Sequence, residues 1–77
     1  MTKAELENLD AAIKDISERI ASAQRDAVAA TMAEGPLLDS GDRAGFRAQR
    51  TLRVAAETRA ERLERMRSRW VEARQAA

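Results

Sequence analysis

Seventy-seven residues, 44% of them hydrophobic and 35% charged, with no cysteine, no histidine and a net charge of +1, make one small domain. A chain this short buries too little apolar area to stand easily alone, and without cysteine or histidine neither a disulfide nor a structural zinc site can help. That leaves matched helix packing, self-association or a larger partner.

Thr2-Lys3-Ala4-Glu5 fits a capping box, so a first helix begins at residue 2. Apolar residues follow at Leu6, Leu9, Ile13, Ile16, Ile20, Ala23, Ala27 and Ala30, alternating steps of three and four. This is an a/d seam of about four heptads, the strongest signal in the chain. Asp10–Lys14 and Asp15–Arg19 are spaced as i,i+4 pairs on its outer faces. Gly35-Pro36 is expected to stop this helix at residue 34, glycine past its end and proline just beyond.

Residues 35–41 then form a turn that contains two adjacent leucines. One of Leu37 and Leu38 is expected to fold back as a plug on Ala30, Ala33 or Phe46. The other is then exposed or contacts a second subunit, because adjacent side chains diverge.

A second helix over 42–76, capped by a residue between Ser40 and Asp42, carries apolar positions Phe46, Leu52, Ala56, Ala60, Leu63, Met66, Trp70 and Ala73. A strict heptad from Leu52 would put Arg59 in the seam. A stutter keeps Arg59 at the edge, its stem packed and its head wet. Val28, Met32, Val54 and Val71 lie off both seams.

Two helices of similar length and a short connection predict an all-α fold, an antiparallel coiled-coil-like hairpin forming one domain over 1–77. Folding about residue 38 sets Leu6 against Trp70, Leu9 near Met66, Ile13 near Leu63 and Ala23 near Leu52. The seam residues are then Leu6, Leu9, Ile13, Ile16, Ile20, Leu52, Leu63, Met66 and Trp70. One hairpin leaves its seam half uncovered, which predicts a homodimer in the form of a four-helix bundle.

The charge is unevenly divided. Met1 to Glu34 holds four basic and seven acidic residues, and Asp42 to Ala77 holds ten arginines and five acids. An acidic half and a basic half attract side by side.

Function is bounded by exclusion. Histidine, cysteine and tyrosine are absent and "GPLLDSG" lacks the lysine and spacing of a P-loop, so an enzyme is not expected. Glu57, Glu61 and Glu64 share a face, but the Glu-x-x-His partner of a di-metal bundle is missing. No metal and no cofactor is expected, and the acidic stripe reads as a solvated face. No apolar run reaches transmembrane length. The start has no apolar h-region. Glutamates interrupt the basic face of the second helix, so no membrane partner is expected.

The reading is a non-catalytic protein–protein interaction module of the cytoplasm. Besides its own copy it would bind a larger protein, to inhibit it or adapt it. The Ala/Arg bias accords with a phage or mobile element of a high-GC host. Candidate partner-binding residues are Leu37, Leu38, Arg43, Arg47, Arg50, Arg69, Trp70 and Arg74, since Trp and Arg are enriched at hot spots. The alternative is an Arg-rich RNA- or nucleic-acid-binding bundle using Arg43, Arg47, Arg50 and Arg62, Arg65, Arg69, although no aromatic lies among them for stacking. A second alternative is a self-assembling structural subunit.

Overall fold

The computed structural model describes all residues, 1–77. Helix α1 spans Lys3–Ser40 and helix α2 spans Arg43–Ala76, packed antiparallel into a hairpin 58 Å long and 14 × 13 Å across. No strand is present. At 1.5 Å per residue a 38-residue helix is about 57 Å long, so α1 sets the length.

The caps follow from local chemistry. The Thr2 hydroxyl oxygen accepts from the Glu5 amide at 3.2 Å, and the hydroxyl donates to Glu5 Oε1 at 3.1 Å. The glutamate therefore closes the cap through the hydroxyl rather than through the Thr2 amide. Asp42 caps α2, its Oδ1 accepting from the Gly45 amide at 2.9 Å. A Cβ on Gly45 would lie about 2.5 Å from Asp42 Oδ2 and 3.0 Å from Leu37 Cδ2, so a larger residue at this third helical position would push the Asp42 carboxylate from its place.

The reversal differs from the expected one. Gly35-Pro36 does not stop the first helix. Both lie inside α1, which continues to Ser40, and the turn shrinks from 35–41 to Gly41 and Asp42. Gly41 adopts φ 78°, a left-handed conformation that glycine enters without a Cβ penalty. Its amide donates to the Leu38 carbonyl at 3.1 Å and the Asp42 amide donates to the Leu37 carbonyl at 3.0 Å, the two bonds of a Schellman motif. Pro36 costs α1 the amide that would bond the Met32 carbonyl. The missing bond falls near the helix end and on its exposed side, where water can serve that carbonyl, since Met32 is 73% exposed. Leu37, half-buried beyond the proline, anchors the last turn.

Moving the turn moves the register. Cross-helix pairs Asp10–Arg74, Asp26–Arg59 and Glu34–Arg53 join residues whose numbers sum to 84–87, against the 76 expected from a fold about residue 38. Trp70 thus lies level with Ile13 and Lys14 rather than with Leu6.

The α1 heptad also runs on past Ala30, through Glu34 to Leu37, both half-buried. In α2 the seam needs no stutter. Phe46, Gln49, Arg53, Ala56, Ala60, Leu63, Arg67, Trp70 and Arg74 alternate steps of three and four without a break, and all but Arg67 are buried or half-buried. Leu52 and Met66, expected in the seam, are 58% and 40% exposed, each one position to the side.

The core is thin. Six residues are buried: Ile16, Ile20, Ala23, Ala30, Ala56 and Ala60. Four are alanines, which give little transfer energy but allow close helix approach. No buried side-chain polar atom lacks a hydrogen-bond partner.

Candidate interaction surfaces

The tip separates the two leucines. Leu37 is half-buried, its Cδ2 against Gly45, while Leu38 is 62% exposed. The cause is helical: adjacent residues on a helix point about 100° apart, so once Leu37 faces α2 its neighbour cannot. Leu37, Leu38, Gly41, Asp42, Arg43 and Phe46 line a pocket of about 260 Å³ at the tip. Arg43 and Arg47 are exposed beside it. The tip is an apolar knob whose rim carries Asp39 and Asp42 as well as Arg43 and Arg47.

Three arginines of α2 are taken up by α1. Arg53 Nε donates to Glu34 Oε1 at 2.7 Å and its Nη1 donates to Glu57 Oε1 at 3.3 Å. Only 25% and 14% of the Arg53 and Glu34 side chains are exposed, which makes this the most shielded pair in the molecule. The hydrogen bond that Arg53 donates to Glu34 is the main cause that raises its pKa above the ordinary value, followed by the bond it donates to Glu57. Arg59–Asp26 at 2.7 Å and Arg74–Asp10 at 2.8 Å are more open. Arg74, a candidate for partner binding, is thus engaged within the hairpin. Asp10 turns to Arg74 rather than to Lys14, whereas Asp15–Arg19 forms as expected at 3.0 Å.

The other seven arginines of α2, namely Arg43, Arg47, Arg50, Arg62, Arg65, Arg67 and Arg69, form no ion pair. Glu61 and Arg65, one helical turn apart, do not pair. All seven are exposed. Trp70 is half-buried in the seam, with Val71 half-buried beside it. Glu57 binds Arg53, and Glu64 accepts from Gln24 Nε2 at 3.3 Å. The three carboxylates Glu57, Glu61 and Glu64 are not gathered into a metal-holding cluster.

Two apolar features lie off the seam. Val28 and Met32, 58% and 73% exposed, line an open groove on α1 with Ala21 and Ala29. Leu52, Ala55, Ala29 and Ala30 line a shallow groove of about 340 Å³ along one side of the hairpin, bridged by Asp26 and Arg59. Polar seam residues conceal this second groove in the sequence, because apolar spacing alone places Leu52 in the core. No helix is long and apolar enough to cross a membrane. No protein-family model, no curated protein and no solved structure matches the chain.

Proposed function

We propose that this protein is a non-catalytic protein–protein interaction module of the cytoplasm. It pairs with its own copy and uses the hairpin tip to hold a larger protein, which it blocks or adapts. The observation that carries this reading is Leu38. A large apolar side chain stands 62% exposed on a capped, hydrogen-bonded turn, one residue from a leucine folded inward. A preorganised knob gives affinity at low ordering cost. Arginines at its rim supply charge and orientation for a partner with an acidic border. An origin in a phage or mobile element fits the small size and the Ala/Arg bias.

The test separates the two leucines. Nuclease-treated pull-down with the natural chain should recover one stoichiometric protein. Leu38→Ser should lose that protein while the melting temperature holds, and Leu37→Ser should lower the melting temperature. Recovery unaffected by Leu38→Ser would contradict the reading.

A second reading, binding to RNA or DNA, is favoured by the seven unpaired arginines of α2. It predicts affinity that falls steeply with salt and an Arg47→Glu variant with a shallower salt slope. Binding that ignores salt would dismiss it.

A further inference from the structure

We propose that a second copy of this chain covers the groove at Leu52. The two hairpins then lie side by side with both tips at the same end, and α1 of each copy packs against α2 of the other. This rests on the self-association in the reading above and adds its face and its orientation.

Area and shape argue for an occupant of this size. A compact monomer of 8.5 kDa exposes about 4,700 Å², whereas this hairpin exposes 5707 Å². The excess of roughly 1,000 Å² is comparable with the ~800 Å² that each partner contributes to a standard interface. The radius of gyration, 17.4 Å, exceeds the ~11.5 Å of a compact chain of this length. A second rod of equal length laid along the groove covers the face over its full length.

Charge selects the orientation. Between Lys3 and Ser40, four basic and eight acidic residues leave α1 at −4. Between Arg43 and Ala76, ten arginines and four glutamates leave α2 at +6. Two hairpins meeting face to face with two-fold symmetry have two choices. An axis across the helices opposes the tips and lays α1 on α1 and α2 on α2, like charge on like. An axis along the helices keeps the tips together and lays α1 on α2, so each helix of the bundle has two neighbours of opposite sign. The second choice is favoured along the whole length.

The groove fits that choice residue by residue. Asp26 and Arg59 are level with each other in one hairpin, as their ion pair shows. With the axis along the helices, each also meets its opposite in the second copy. Ala33, one heptad beyond Asp26, comes level with Leu52, so the exposed leucine meets a small residue of the facing helix, as interdigitating layers need.

The chain contains no cysteine, so single cysteines report cleanly. Ala33→Cys and Leu52→Cys are prepared separately, allowed to exchange subunits, and oxidised. The mixture should give a covalent dimer and each variant alone should not. Ala55→Glu should abolish the dimer in sedimentation and keep the helical circular dichroism signal. Cross-linking of either variant with itself, or a dimer that gives no cross-link in the mixture, would overturn the orientation. Ala55→Glu that leaves the dimer intact would overturn the face. A monomer at every concentration would overturn self-association as well.

Discussion

The two ends of the hairpin are held together differently. At the far end the seam is built of Leu6, Leu9, Ile13, Ile16 and Ile20 on α1 and of Leu63 and Trp70 on α2, so large apolar side chains fill it. In the tip half, Ala23, Ala27 and Ala30 meet Ala56 and Ala60, and the next seam layers are Glu34, Gln49 and Arg53. There the small residues let the backbones approach, and a shielded ion pair marks the register. A charged pair at seam positions disfavours slipped alignments, since a slip would strand Arg53 or Glu34 against apolar neighbours. The uncovered surface follows the same division. Val28, Met32, Leu38, Leu52 and Val54, five of the seven large exposed apolar side chains, lie in the tip half. The half with the weaker core carries the surface suited to partners.

Substitutions can break or sharpen this contrast. The largest expected effect is at the far end: Ile16→Ala should cost about 2–5 kcal/mol in denaturant unfolding, because the side chain is 3% exposed and leaves a cavity. A loss below 1 kcal/mol would deny that end its role. Next comes Pro36→Ala, which restores an amide donor to α1. Thermal unfolding should show a gain of up to about 3 kcal/mol, confined to the tip half in hydrogen exchange. Gly35→Ala is smaller, a gain of about 1 kcal/mol, since a Cβ there meets nothing within 4 Å. Gly41→Ala should have the opposite sign and similar size, since φ 78° strains any residue with a Cβ. If Gly35→Ala and Gly41→Ala shifted stability in the same direction, the turn would lie elsewhere.

The same contrast explains what could be read from the sequence. The far end of α1 was legible, because large apolar residues at heptad spacing leave one reading. The hairpin was legible from two helices of similar length joined by a short connection. The tip was not, because Gly35-Pro36 looks like a stop when local propensity alone is weighed. Tertiary packing overrides it: continuing the α1 heptad past Ala30 lands on Glu34 and Leu37, and both have partners in α2 once α1 runs to Ser40. The α2 seam was misplaced because four of its positions are Gln49, Arg53, Arg67 and Arg74. Counting heptads back from Ala56 would have found Arg53 and Phe46, and Glu34 offers the matching charge. Of the candidate site, the split between Leu37 and Leu38 was legible from the divergence of adjacent side chains. The Leu52 groove was not, since it appears only after the register moves.

The central claim is that a second copy completes this thin hairpin, and the melting temperature tests it most directly. Measured by circular dichroism over roughly a hundredfold range of protein concentration, it should rise with concentration, because association stabilises the folded state by mass action. A melting temperature that does not move across that range would contradict the claim.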